Sequence, residues 1–252
     1  ILMVPLMIET FAKKLEDVKD LPEKVVKEAV FGSQFHTICS GGAYLNPDYI
    51  ELFERFGIQI LQGYGMTECS PVISTTVAWN VKKNSVGQLL PNCEAKTVDG
   101  ELWVRGSSVM QGYYKMPEET KTALKDGWLC TGDLGYVDEE RFIYLTGRKK
   151  NLIITKNGEN VSPEELENKL SSSRLVQEVL VREAKGVIEA EIYPDEEYAK
   201  KQGLEREEEV RVELQKLIDE YNQGAPAYKK IYSLIIREKE FEKTASRKIK
   251  RY

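Results

Sequence analysis

Apolar and polar positions change their period along the chain, and the changes mark its elements. Phe35-His36-Thr37-Ile38-Cys39 and Ile58-Gln59-Ile60-Leu61-Gln62 are short runs of strand-forming residues, each leading into glycines. Between them, Ile50, Leu52, Phe53 and Phe56 recur at helical spacing, with Gly57 at the stop of a helix from Pro47 to Phe56. Strand, helix and strand in this order predict a βαβ unit with parallel strands and a right-handed crossover. Its loops, Ser40-Gly41-Gly42-Ala43 and Gly63-Tyr64-Gly65-Met66-Thr67-Glu68, then leave the same carboxyl edge of the sheet. In open α/β sheets ligands bind at that edge.

From about residue 85 to 148 the texture shifts to short alternating runs, such as Glu101-Leu102-Trp103-Val104-Arg105 and Phe142-Ile143-Tyr144-Leu145. Asp99-Gly100 and Asp126-Gly127 mark turns, so a small barrel or curled sheet is expected. Gly147-Arg148-Lys149-Lys150-Asn151 reads as a boundary. Beyond it, Asn157-Gly158 predicts a tight turn, and Ser162-Pro163-Glu164-Glu165 predicts a capping box opening a helix from Pro163 to about Leu170. A second helix is expected over Glu207 to Tyr221, with Val210, Leu214, Leu217, Ile218 and Tyr221 on one face. A strand near Ile231 to Ile236 precedes a basic tail, Lys243 to Tyr252. The expected domains are therefore 1–148, with an α/β sheet part at 1–80 and a β-rich part at 81–148, and a small α+β domain at 149–252. The apolar opening Ile1-Leu2-Met3-Val4 looks like a strand entered midway, as if the natural chain began earlier.

With 252 residues, 41% hydrophobic, the chain can bury a sizeable core. A net charge of −5 gives no reason to expect nucleic-acid binding. No apolar run reaches membrane-spanning length, and no cleavable signal is visible. The four cysteines (Cys39, Cys69, Cys93 and Cys130) are scattered, which suggests free thiols in a reducing, cytoplasmic setting. The single histidine, His36, makes a histidine-rich metal site or a histidine-based triad hard to build, and it reads as a core or edge residue.

The stretch Gly63 to Glu68 combines a backbone that a ligand can approach closely, an aromatic face, a hydroxyl and a carboxylate. Tyr64 could stack on a base, Thr67 could reach a phosphate, and Glu68 is a hard oxygen ligand for Mg²⁺. Together they suggest a nucleoside triphosphate site. Asp133, in Thr131-Gly132-Asp133, could take both hydroxyls of a ribose from a loop, although standing alone it reads more simply as a turn-capping residue. Arg148 and the lysines after it could pair with the ribose or the phosphates, or form a solvated linker. The tail Lys243 to Arg251 carries five positive charges and no negative one. It reads either as a solvated terminus or as the carrier of a lysine for a phosphate in the transition state.

Ser40-Gly41-Gly42-Ala43, Gly63 to Glu68, Gly100-Glu101-Leu102, Gly112-Tyr113-Tyr114, Gly127-Trp128, Thr131-Gly132-Asp133, Gly147-Arg148-Lys149-Lys150 and Lys248 follow one another at the distances seen in one family. The chain resembles the adenylate-forming acyl-CoA synthetases, most closely their long-chain fatty-acid members, over essentially its whole length. The fold implied is the C-terminal part of a large doubly wound α/β domain with a small β-barrel subdomain, followed by a small, mobile α+β C-terminal domain. By the same resemblance, Gly41, Gly42 and Ala43 would line the adenine and acyl pocket. Gln62, Gly63, Tyr64, Gly65 and Met66 would form the nucleotide-binding strand and loop, with Tyr64 on adenine. Thr67 would touch phosphate and Glu68 would hold Mg²⁺. Asp133, assisted by Arg148, would bind ribose, Lys150 would be the hinge, Lys248 would stabilise adenylation, and the loop from Gly158 to Val161 would line the pantetheine channel.

The resemblance thus implies ATP, Mg²⁺, coenzyme A and a fatty acid as reactants and cofactors, with peripheral membrane contact as a further expectation. Two departures stand out. The family's Ser/Thr/Gly-rich phosphate loop and its lysine would lie upstream of Ile1, in an N-terminal half of the large domain, and the family's usual glycine before the tail lysine is Arg247 here. The segment between Phe11 and Phe31 also looks shorter than in typical long-chain members, as if a surface helix were trimmed. These 252 residues alone are therefore expected to be inactive. Two rival readings stay open: a non-catalytic nucleotide-binding fragment, and an adenylating enzyme that loads a carrier protein.

Overall fold

Proline at the first helical position and apolar residues spaced by three and four open the fold in the computed structural model, which describes residues 1–244 and 249–251. The chain divides into two compact units, Ile1–Leu145 and Thr146–Tyr252. In unit 1, strand β1 (Leu2–Met3) leads into helix α1 (Pro5–Glu16), which buries Ile8, Ala12 and Leu15 along one face. Helix α2 (Glu23–Val30) buries Val26. The segment between Phe11 and Phe31, read as shortened, holds the end of α1 and all of α2, and neither helix was assigned from the sequence.

Strand β2 (Thr37–Gly41), helix α3 (Pro47–Arg55) and strand β3 (Gln59–Gly65) form the expected βαβ unit. Pairing of β1 with β2 and of β2 with β3 is parallel. Asn46 caps α3 by accepting a hydrogen bond from the Asp48 amide at 2.9 Å, and its carbonyl receives Tyr49 N. Ile38 and Ile60 are register partners on one sheet face, where Ile8, Leu15, Val26, Leu52, Phe53 and Phe56 close the core around them. Helices α1 to α3 therefore share one face of the parallel sheet, and Cys39 on the other face is exposed. His36, expected within a strand, lies just before β2 and is exposed, with Nδ1 3.2 Å from Lys27 Nζ.

The sheet continues antiparallel through β4 (Val72–Thr75) and β5 (Gln88–Leu89), giving the order β1-β2-β3-β4-β5. Next come β6 (Cys93–Val98), β7 (Glu101–Gly106), helix α4 (Pro117–Ala123), β8 (Leu124–Lys125), β9 (Trp128–Val137) and β10 (Ile143–Arg148). They make an antiparallel sheet in the order β10-β9-β7-β6, with β8 on β9, where a curled sheet was expected. Leu102, Val104, Leu129 and Ile143 alternate inward and pack with Tyr64, Cys69, Ile73, Leu89 and Cys93 in a second core.

In unit 2, the hairpin β11 (Ile153–Ile154) and β12 (Asn160–Val161) turns at Asn157-Gly158, with Gly158 at φ +82°. Helix α5 (Pro163–Leu170) starts after Ser162, but the expected capping box does not form. The Ser162 hydroxyl instead donates to Glu164 Oε2 at 3.0 Å, and Glu165 accepts Lys229 at 2.7 Å. Strands β13 (Val176–Ala184) and β14 (Val187–Pro194) are antiparallel; helices α6 (Glu196–Lys201) and α7 (Glu207–Gly224) follow. Strand β15 (Ile231–Ile236) then returns parallel to β14. Helix α7 buries Val210, Leu214 and Ile218 against this sheet and outlasts the expected Tyr221 by almost a turn. Among the described residues no helix is long and apolar enough to cross a membrane.

Phe53 is fully buried beside Phe31 and Phe56, so Phe53→Ala should destabilise unit 1 by about 3–5 kcal/mol. All three tryptophans lie in unit 1, and urea unfolding followed by their fluorescence will read the loss.

Candidate nucleotide site

The glycines of the Gly63 to Glu68 stretch do not begin a loop. Gly63, Tyr64 and Gly65 are the last residues of β3, held between β2 and β4. Their use is close approach. Gly41 and Gly63 are register partners, and a Cβ on Gly41 would stand 2.9 Å from the Gly63 carbonyl oxygen. A Cβ on Gly65 would collide with the Pro71 backbone. The register shifts between Tyr64 and Gly65, and Met66 N then donates to Pro71 O at 2.7 Å. The two glycine stretches thus meet at the carboxyl edge of the parallel strands. Ser40 Oγ, buried at that edge, is without a hydrogen-bond partner among the described residues. Gly42 and Ala43 are exposed beyond it.

Asp133 is not on a loop. It lies within β9 and is 4% exposed. The sequence suggested a loop because Thr131-Gly132-Asp133 comes after the apolar Trp128-Leu129. Gly132 has φ +71°, which bends the strand without ending it. A set of buried acceptors holds that bend: Gly132 N donates to Glu101 Oε1 at 2.9 Å, Asp133 N donates to Thr131 Oγ1 at 3.1 Å, and the Thr131 hydroxyl donates to Leu102 O at 2.7 Å. The Asp133 carboxylate then accepts the Tyr64 hydroxyl at 2.6 Å, a length typical of a charge-assisted bond. Tyr64 is 8% exposed and packs among Cys69, Ile73 and Leu89, so its ring is chiefly a core residue and its hydroxyl a positioning donor.

Thr67 and Glu68 occupy a 3-10 turn (Thr67–Cys69) directly after β3. Thr67 is exposed and Glu68 half-buried. Tyr113 donates its hydroxyl to Glu68 Oε1 at 2.8 Å, and this bond, with burial, holds the phenol above its usual range. Met110 N donates to the Glu68 carbonyl, so the 106–113 segment braces the turn from both ends of that residue. Among the described residues no group of three or more His, Cys, Asp or Glu could hold a metal. A single carboxylate with one oxygen on Tyr113 still suits Mg²⁺, which keeps several waters and takes phosphate oxygens as its other ligands. Gln62 faces elsewhere, donating to Ser85 O at 3.3 Å.

Two contributors had no role assigned from sequence. Tyr113 stood inside a noted stretch, and only folding brings it to Glu68. Glu101 is 5% exposed, although a charged residue just after the Asp99-Gly100 turn reads as solvated. The remaining candidates belong to unit 2: Arg148 ends β10 and is half-buried, Lys150 lies exposed in a 3-10 turn (Lys149–Asn151), and Gly158 is exposed at the hairpin tip. Lys248 lies outside the described residues.

Tyr64→Phe should cost about 1–3 kcal/mol in urea unfolding, because it removes one partner from a buried carboxylate. Burial, with the neighbouring Cys93 and Glu68 charges, pushes the Cys69 thiol up to about 12. A thiol-disulfide reagent at pH 8 should therefore modify the exposed Cys39 and reach Cys69 only after unfolding, which mass mapping of the labelled peptides will test.

Residues 1–114 match the model of the AMP-binding enzyme family, and residues 150–252 match that of the AMP-binding enzyme C-terminal domain. A long-chain-fatty-acid–CoA ligase of Bacillus subtilis is 38% identical over 163 residues, covering 59% of this chain and 29% of that protein. A 4-coumarate–CoA ligase-like protein of Oryza sativa is 41% identical over 165 residues, covering 59% of this chain and 30% of its own length. The solved o-succinylbenzoate coenzyme A synthetase of Bacillus subtilis, in complex with ATP and magnesium ion, superposes with a TM-score of 0.75 at 27% identity, over 99% of this chain and 50% of that one. The chain thus spans under a third of these curated relatives and half of the solved structure. Both halves of the chain match models of one family, and the fold agrees: the chain belongs to the AMP-binding enzymes.

Proposed function

We propose that the protein bearing this chain is an AMP-forming ligase that activates a carboxylic acid with ATP and passes the acyl group to coenzyme A. The observation that carries this reading is the joining of the Gly63 to Glu68 stretch to a buried Asp133 through Tyr64, at the edge where Gly41 and Gly63 meet. Asp133 is the acceptor for the ribose hydroxyls, oriented by Tyr64, which lies beside the base. Gly41, Gly42 and Ala43 flank the base and the acyl group. Thr67 donates to phosphate, and Glu68, oriented by Tyr113, is the Mg²⁺ ligand. Magnesium, when bound, supplies positive charge to the phosphate oxygens. The substrate carboxylate attacks the α-phosphorus, pyrophosphate leaves, and acyl-adenylate remains. Lys248 offsets charge that grows on the phosphate in this step. In the second step the coenzyme A thiolate attacks the acyl carbon and AMP leaves, with Lys150 the pivot between the steps and Gly158 beside the pantetheine.

A long-chain fatty acid is the proposed acid, supported by the identity to long-chain-fatty-acid–CoA ligases; the 4-coumarate–CoA ligase-like relative makes an aromatic acid the alternative to test. An N-terminal half with a phosphate loop is the partner this reading requires.

Acid-dependent ATP–pyrophosphate exchange should be absent with these residues alone and appear when an N-terminal half is supplied; exchange by the chain alone would overturn the required partner. In the full-length protein, Asp133→Asn should weaken ATP use, and Lys248→Ala should lower exchange by about 100-fold or more. Thioester formation from preformed acyl-adenylate should survive Lys248→Ala. Equal loss of both half-reactions would refute the assignment.

A further inference from the structure

The described residues on either side of Lys248 are fixed at both ends. On one side, Lys243 pairs with Glu178 and with Glu240, the latter at 2.8 Å, and Phe241 is buried with its amide on Glu178 Oε2 at 2.8 Å. Lys243 and Ile249 form an antiparallel bridge, and Lys250 N donates to Glu242 O at 2.8 Å. On the other side, Arg251 pairs with Glu167 and stands 3.5 Å from Glu164. The same guanidinium donates to Val181 O at 3.4 Å.

These contacts reach past the tail. Glu167 Oε1 accepts the Val181 amide at 2.7 Å, so Arg251 and β13 share one carboxylate. Burial raises the Glu167 pKa while Arg251 opposes the rise, so this guanidinium is the counter-charge of a buried acid. Glu164 accepts the Asn151 side-chain amide and the Ser162 hydroxyl. Asn151 closes the turn Lys149–Asn151, and Gly147 lies so close to Ser162 that a Cβ there would collide with its hydroxyl. Lys150, Asn151, Val181 and Arg251 also line one cavity of about 600 Å³ within unit 2. The turn after β10, the start of α5 and the tail thus converge on two carboxylates.

We infer that Arg251 is a positioning residue, binding the tail that carries Lys248 to the Lys149–Asn151 turn through Glu164 and Glu167. The inference rests on the roles given to Lys248 and Lys150 under the proposed function. A long, flexible lysine stabilises a transition state only if its backbone is held, and a misplacement of about 1 Å can cost on the order of 100-fold. A purely structural ion pair would make a different prediction, because its loss would weaken every activity of the unit together.

The test uses the full-length protein with Arg251→Met, Arg251→Lys, Asn151→Ala and, as control, Lys248→Ala. Arg251→Met should lower kcat for ATP–pyrophosphate exchange by about 10-fold to 100-fold, with KM for ATP within about 2-fold. Thioester formation from preformed acyl-adenylate should hold within about 2-fold. Arg251→Lys should recover part of the exchange, and Asn151→Ala should shift it in the same direction as Arg251→Met. The inference is overturned if Arg251→Met depresses both half-reactions together, or leaves exchange at the wild-type rate while Lys248→Ala abolishes it. If Lys248→Ala itself leaves exchange intact, the role of the tail fails first and this inference falls with it.

Discussion

A buried hydrogen bond between the Tyr64 hydroxyl and the Asp133 carboxylate joins the two sheets of unit 1 at the candidate site. Both groups are almost wholly covered, so neither can satisfy its polar atoms from water. The geometry around them follows from that need. Gly132 bends β9 so that Asp133 faces β3, and Gly65 lets β4 come close enough for Tyr64 to be held from behind. Thr131 and Glu101 take the amides that the bend would otherwise leave unpaired. A carboxylate held in this way is already oriented before a ligand arrives, which lowers the ordering cost of binding.

The same economy governs the turn at Glu68. Its carboxylate is oriented by Tyr113 and its carbonyl by Met110 N, two contacts from a segment about forty residues downstream. Most of the site therefore rests on strands and strand ends, where rotamers and backbone are restrained by pairing. Unit 2 is organised around a different charge pair. Its acidic helix start, Glu164 and Glu167, gathers Asn151, Ser162, Val181 and Arg251. The helix that the sequence marked by a capping box thus uses its first-turn acid for tertiary contacts, and Ser162 turns to Glu164 in place of the backbone.

Legibility differed by element for physical reasons. The βαβ unit, α5, α7 and β15 were readable because their apolar periods are regular and their ends carry Asn, Ser, Pro or Gly. Helices α1 and α2 were left unassigned although α1 carries Ile8, Ala12 and Leu15 on one face and α2 buries Val26, positions that pack into the core around α3 and β2. Asp133 was recognised as a chemical residue but placed on a loop, because glycine beside aspartate is ordinarily turn chemistry. Gly63 and Gly65 were misplaced for a similar reason: at a strand end glycine can serve close packing as well as a turn.

The sequence by itself determined the βαβ unit, helices α5 and α7, strand β15, the chemical types of the candidate residues and the family to which they belong. These are properties of local spacing and residue type, and they survive without knowledge of distant contacts. Only the tertiary structure decided that Tyr64 holds Asp133, that Tyr113 holds Glu68, that Glu101 is buried, and that Arg251 and Asn151 share the Glu164 carboxylate. Each of these joins residues far apart in the chain, and their pairing is set by which buried charges and hydroxyls must find partners once the strands have closed.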